Sequence, residues 1–339
     1  MLTDSSGIDR VHQGPLPTDP YQEIDYSLGI GGVLYEPDPI KAFSVWTANF
    51  AGSSARQNFT LRRWLNQQIA MLDELINEQI NAVIHHPRYQ QLESSWRGLW
   101  FLVDSLVNTE NTKVRLLDAS WKDVSRDIER APDFDQSGLF HLIYNQEFGT
   151  PGGEPFSILL GDYYISHRPY EGHKYDDIFT LQGISRTAAA SFCPFVCSAA
   201  PQLFGLDSYD SLGTPINFDE VFRSKEYIRW RSLRDHEDSR FLALTLPHIL
   251  IREPHQPSSR SRLGLNFRED TAARDSSKYL WGNACFALGT VLIREFSEVG
   301  WFSHIRGVPR DHFGGGLVTQ FPSLPYHTDP TSGTVKMST

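Results

Sequence analysis

Residues 156–198 read FSILLGDYYISHRPYEGHKYDDIFTLQGISRTAAASFCPFVCS. Two apolar runs, Phe156 to Leu160 and Phe192 to Ser198, flank a stretch from about Asp176 to Ala190 with helical spacing. A short, nearly continuous apolar run suits a strand buried on both faces. Strand, helix and strand in that order favour parallel pairing through a crossover. The expected fold class is therefore α/β, with α+β as the alternative: a mixed, partly parallel sheet core with flanking helices.

Working outward, Val114 to Asp118 reads as a further strand, and Ser120 with Asp123 makes a capping-box start for a helix ending at Pro132. A helix from about Ser137 to Phe148 is closed by Gly149. Downstream come a helix near Ser224 to Arg234, a strand from Arg240 to Leu246 and a long helix from Lys278 to Val299. Glu253 to Ser277, rich in Pro, Ser and Arg, reads as a surface loop. Toward the N-terminus, Leu61, Trp64, Leu65, Ile69, Leu72, Leu75, Ile76, Ile80, Val83 and Ile84 recur at helical spacing. Pro87 stops that helix and suits the first turn of the next, which carries Tyr89, Leu92, Trp96, Leu99, Trp100, Val103 and Leu106. The two are expected to pair along an aromatic-rich seam. Proline and glycine recur through residues 1–55, which read as an extended arm with one short strand at Ile30 to Tyr35. The expected organisation is an arm (1–55), a helical pair (56–110), an α/β core (111–325) and a flexible tail (326–339).

The chain has 339 residues, with 40% hydrophobic and 21% charged side chains, which excludes wholesale disorder. Lysine and arginine number 31 against 41 acidic residues, a net charge of −10. That balance argues against a nucleic-acid or anionic-membrane partner. The longest apolar stretch, Cys285 to Ile293, is closed by Arg294 and Glu295 and is too short for membrane insertion. The first twenty residues lack the apolar core of a secretory signal, and three cysteines do not make a disulfide framework. The expected location is cytoplasmic.

Candidate chemistry is sparse. The loop Gly149-Thr-Pro-Gly-Gly-Glu-Pro155 precedes a strand and holds Glu154 where a phosphate cradle would need lysine, so it reads as a rigid turn. Gly314-Gly315-Gly316 also lacks lysine. Cys193 and Cys197 could neighbour each other on a strand face, yet a zinc site needs four converging ligands, and Cys285 is the only other thiol. His85-His86 sits at a helix end, where a capping contact is the ordinary reading. Asp162 follows an apolar run, a place where α/β enzymes put catalytic carboxylates, and Asp176 or Asp177 could join it. Capping is the commoner use of such residues. The cluster Arg229, Arg231, Arg234, Asp235, His236, Glu237, Asp238 and Arg240 mixes signs, which suits a salt-bridged surface or a subunit contact. No residue is assigned to catalysis, to a cofactor or to a metal.

Three ordered stretches carry a family resemblance. They are Phe134-Asp-Gln-Ser-Gly-Leu-Phe140 with Glu147 to Pro155 and Leu160-Gly-Asp-Tyr163; Glu237-Asp-Ser-Arg240 with Leu244-Thr-Leu-Pro247; and Tyr279-Leu-Trp-Gly-Asn-Ala284 with Gly300-Trp301 and Ile305-Arg-Gly307. Together they resemble the large subunit of the type VI secretion contractile sheath, the TssC/VipB/EvpB family, from about residue 56 onward. The resemblance implies a bacterial structural protein, not an enzyme. Such subunits pair with a small sheath subunit (TssB/VipA-like) and with neighbouring copies of themselves. They assemble helically around an inner tube of Hcp-like rings, and contraction drives effector delivery. A ClpV-type AAA+ unfoldase recycles the contracted sheath. Family members continue past the Gly314–Gly316 region, so the core is expected to be incomplete in this chain. The alternatives are a non-polymerising accessory or regulatory paralogue, or an α/β hydrolase-like enzyme in which Asp162 converges with Asp176 or Asp177.

Overall fold

The computed structural model describes residues 36–50, 61–106, 109–213, 216–256, 265, 267–271, 276–307, 315–318, 326–328 and 335–337. The chain divides into two compact units, residues 1–75 and 76–339. In the first unit, Pro39–Phe50 forms helix α1. Asp38 Oδ1 accepts the Ile40 amide at 2.9 Å, and Pro39 occupies the first turn, where its missing N–H costs nothing. Prolines read from sequence as the mark of an extended arm thus include one that starts a helix. The strand expected at Ile30 to Tyr35 lies outside the described residues.

Helix α2 (Leu61–Ile84) begins in the first unit and ends in the second. His86 then caps α3 (Pro87–Asp104), its Nδ1 accepting the Arg88 amide at 3.3 Å, as the His85-His86-Pro87 joint suggests. The last turns of α2 are held by polar bonds: Asn81 Nδ2 donates to the Arg268 carbonyl at 3.1 Å, and Asn81 Oδ1 accepts the Asp270 amide at 2.8 Å.

The second unit is built on a parallel sheet. Strands β1 (Leu159–Ile165), β2 (Phe195–Ala199) and β3 (Leu242–Thr245) lie in that order, with Leu159 opposite Phe195 and Phe195 opposite Leu242. Strand β1 runs several residues later than the apolar run at 156–160 implies. Between β1 and β2 the chain crosses over through α5 (Asp177–Ala190), after α4 (Trp121–Arg130) has formed with its Ser120/Asp123 capping box. Helices α6 (Phe218–Arg223) and α7 (Ile228–Asp235) fall between β2 and β3. Alternation along β1 sends Leu159, Tyr163 and Ile165 into one core with Trp121, Ile178, Leu181, Ile184, Trp230 and Leu233. Leu160 points the other way, into a core with Leu102, Val196, Phe286 and Ile293. Helices therefore cover both faces, the α/β arrangement expected from the sequence.

Two further strands, β4 (Ile249–Arg252) and β5 (Leu280–Gly282), pair antiparallel and precede α8 (Ala284–Val299). The sequence suggests one helix from Lys278, but Asn283 caps α8 through its Oδ1 and the Cys285 amide at 2.9 Å, leaving 280–282 as a strand. His141–Phe148 has π-helical geometry, ending with the Gly149 amide on the Tyr144 carbonyl at 2.7 Å. Inside the expected tail, β6 (Tyr326–Thr328) and β7 (Val335–Met337) pair antiparallel.

Close approach of α3 and α8 depends on Gly98, where an added Cβ would lie 2.2 Å from the Phe286 ring. Gly98→Ala is expected to cost roughly 3 kcal/mol in overpacking against about 1 kcal/mol gained in helix propensity. Urea denaturation should show a net loss of about 2 kcal/mol.

Candidate interaction surface

The three carboxylates singled out for chemistry do not converge. Asp162 sits on the Leu160 side of β1, where Ser95 Oγ of α3 donates to it and Asn283 adds a second side-chain bond. Burial pushes its carboxyl above the usual range, against the lowering effect of those bonds. Asp177 lies on the opposite face, 2% exposed. It accepts from Trp121 Nε1 at 2.7 Å, the Ser166 amide at 2.8 Å and His173 Nε2 at 2.7 Å. Asp176 caps α5 through the Phe179 amide and pairs with Arg229 at 2.6 Å. The sheet thus separates Asp162 from Asp177, which overturns the arrangement that a hydrolase using both would require.

The other motifs also resolve into structure. Asn283, fully buried, accepts from Ser198 Oγ at 2.6 Å and donates to the Tyr163 carbonyl at 3.1 Å, joining β1, β2 and the start of α8. Within the Tyr279–Ala284 stretch, Asn283 thus has a structural role. Cys193, Cys197 and Cys285 are free and buried. Burial pushes the Cys193 thiol up to about 12 and raises the other two as well, so none is poised as a thiolate. Among the described residues, no three His, Cys, Asp or Glu side chains gather as a metal site. No described helix is long and apolar enough to cross a membrane.

The Gly149–Pro155 loop is a turn held by charge. Glu154 pairs with Lys113 and Arg115, Arg115 also pairs with Glu147, and Glu147 accepts the Glu154 amide at 2.9 Å. The Glu154 amide, then Arg115, hold the Glu147 carboxyl below its usual range; Lys113, then Arg115, do the same for Glu154. In the mixed-charge cluster, Arg231 donates to the Phe222 and Ser224 carbonyls, and Arg240 pairs with Glu237 at 2.8 Å.

A feature missed in the sequence is a buried ionic network. Arg252 of β4, 7% exposed, donates to Glu269 at 2.6 and 3.1 Å and to Glu93 of α3 at 3.0 Å. Glu269 also accepts the His255 amide at 2.8 Å and lies 3.4 Å from His85 Nε2. These residues are far apart in sequence, and no local motif announces them.

The surface itself carries the main departure from expectation. Helix α3 buries Ser94, Gly98, Phe101 and Leu102. Tyr89, Leu92, Trp96, Trp100 and Val103, spaced three and four apart, are exposed, Trp96 by 61%. The aromatic seam expected between the two helices thus faces outward. Ile69, Leu72 and Leu75 in the first unit's part of α2 are exposed too, as are Ile76 and Val83 in the second unit's part. On α3 itself, a line of exposed apolar side chains at helical spacing is the kind of face that protein partners cover. Among the described residues, the expected strand at Val114 to Asp118 joins no sheet, and Leu116 and Leu117 stand exposed.

Comparison with known proteins adds two findings. A family model described as EvpB/VC_A0108, tail sheath N-terminal domain, matches residues 66–339. The chain is also similar to the Pseudomonas aeruginosa "Type VI secretion system sheath protein TssC1", with 38% identity over 265 residues. That alignment takes in 78% of the chain and 51% of TssC1, so the chain spans about half the length of this relative.

Proposed function

The chain belongs to the TssC/VipB/EvpB tail-sheath family of type VI secretion, and from that premise we propose that it is a structural subunit of a contractile sheath. Its partners in this reading are a small sheath subunit of the TssB/VipA kind and neighbouring copies of the chain. The assembly is helical around an Hcp-like tube, its contraction delivers effectors, and a ClpV-type unfoldase recycles it in the cytoplasm. A repeated, non-closing contact between subunits generates such a filament without any bound cofactor.

The observation that supports this reading best is the outward aromatic stripe of α3. Trp and Tyr in a line of exposed apolar side chains are the residue types that anchor protein interfaces. The hydrolase alternative needs Asp162 beside Asp176 or Asp177, and Asp162 and Asp177 lie on opposite faces of the sheet.

The test is affinity co-purification with the small sheath subunit from the same gene cluster. Wild type is expected to retain that subunit. Trp96→Ser combined with Trp100→Ser should reduce retention by roughly tenfold or more, as for the loss of two interface anchors. Both side chains are largely exposed, so the circular dichroism spectrum should not change. Equal retention by the variant would remove α3 from the interface.

A further inference from the structure

His167 lies just past the end of β1, and its side chain is 1% exposed. Its ring stacks on Tyr227 with centroids 4.0 Å apart and planes 23° from parallel. Among the described residues neither ring nitrogen has a hydrogen-bond partner, and Nε2 stops 3.9 Å from Glu226 Oε2, too far for a bond. Glu226 is engaged instead by Arg168 at 3.1 Å. The site accepts a neutral imidazole but offers no acceptor in reach of the second N–H that a proton adds. Tyr227 is what this ring holds. Its hydroxyl donates to the Leu203 carbonyl at 2.9 Å, and its ring meets Phe222 edge-on at 5.3 Å. Within segment 218–227 Tyr227 is buried, Val221 and Phe222 are half-buried, and α6 buries no residue fully. Helix α7 is anchored separately, by Trp230 and Leu233 in the core.

We infer that His167 is an acid-released latch: in its neutral form the ring clamps Tyr227 at the end of β1, and protonation lets segment 218–227 swing away from the sheet. The charged groups acting on the ring are Arg168, which opposes a second positive charge, and Glu226, which favours one. Burial is the largest effect and holds the imidazole below its ordinary value. Burial likewise raises the Tyr227 hydroxyl, so that ring stays neutral. Elsewhere at the junction Arg229 pairs with Asp176 at 2.6 Å, and Asp177 is engaged by Trp121, Ser166 and His173. His173 keeps that carboxylate partner in either charge state, whereas a proton on His167 demands rearrangement. Opening moves the His167 ring into water, where it takes a proton near the ordinary value of about 6.5. A base whose folded value is depressed contributes stability that is full above its ordinary value and lost as pH falls below it. The latch therefore holds at neutral pH and weakens in acid. Opening also withdraws the Phe222 and Ser224 carbonyls from Arg231, freeing its guanidinium within the 229–240 charge cluster. The device belongs to the chain alone and does not depend on sheath partners.

Amide hydrogen exchange of the full 339-residue chain tests this. Exchange is compared at about pH 7.5 and about pH 5.5, corrected for intrinsic rates, which brackets the ordinary histidine value. The amides of Val221, Ser224 and Tyr227, which bond within or next to the segment, are the reporters. Their protection is expected to fall roughly five- to tenfold at the lower pH, as for one proton taken up on opening, with the β1–β3 amides unchanged. His167→Phe keeps a ring against Tyr227 without a titrating nitrogen and should abolish that fall. Histidine C2-hydrogen exchange of the wild type needs no variant, and His167 is expected to take its proton below the ordinary value. Should His167→Phe not fold, the two wild-type measurements decide. Reporter protection that stays constant between the two pH values overturns the inference. So does a fall that persists in His167→Phe, or a His167 that titrates at or above its ordinary value.

Discussion

Asp177→Ala is expected to destabilise the 76–339 unit by about 3–5 kcal/mol, from the penalty of roughly 1–3 kcal/mol for each buried donor left unsatisfied. The carboxylate accepts from Trp121, Ser166 and His173. Through them it joins α4, the end of β1, the β1–α5 loop and the first turn of α5. Asp177→Asn retains one acceptor oxygen and should cost less. Chemical denaturation monitored by tryptophan fluorescence measures both, and Trp121, which loses its indole partner, serves as the reporter. A change below about 0.5 kcal/mol, the range of ordinary surface substitutions, would mean that these bonds are dispensable.

Arg252→Met is expected to cost about 3–5 kcal/mol at neutral pH, because it leaves a buried carboxylate without its counter-charge. Burial acts to raise the Glu269 carboxyl, but the bonds from Arg252 and the His255 amide outweigh it and hold the group below its ordinary value. A depressed carboxylate contributes stability that is present above its unfolded value, about 4.3, and lost as pH falls through the folded one. Removing Arg252 reverses the sign, since burial then favours the protonated acid. The penalty of Arg252→Met should therefore be largest near pH 7 and shrink as pH approaches 4. Adding Glu269→Met should recover most of the loss, because Glu93 keeps Arg97 at 2.7 Å. Denaturation curves at the two pH values check the sign; a penalty that grows in acid would contradict it.

What the sequence reveals and what it hides follow from the range of each interaction. The β1–α5–β2 crossover is legible because its apolar runs and helical spacing are local. So are the Ser120/Asp123 box and the His86-Pro87 joint. Periodicity shows which face of α3 is apolar but not which face is covered; that is settled by Gly98, which lets Phe286 of α8 approach. The pattern at 113–118 has the right residues for a strand, but whether it pairs depends on a non-local neighbour. The α8 boundary is hidden because an apolar run before Asn283 suits strand and helix equally. For the candidate site, Asp162 and Asp177 look like partners in sequence, and only the alternation along β1 shows that they belong to opposite faces. The Arg252–Glu269–Glu93 network joins residues too far apart for any motif to capture.

The central claim, that this chain works by assembling with sheath partners, is tested most directly by co-expression with the small sheath subunit from the same gene cluster, followed by size-exclusion chromatography and electron microscopy. The account predicts co-elution as a stable complex, with helical or tubular particles on the grid. Co-elution without tubes would place the chain as a non-polymerising accessory of the sheath. A monodisperse monomer with no retained small subunit would contradict the account.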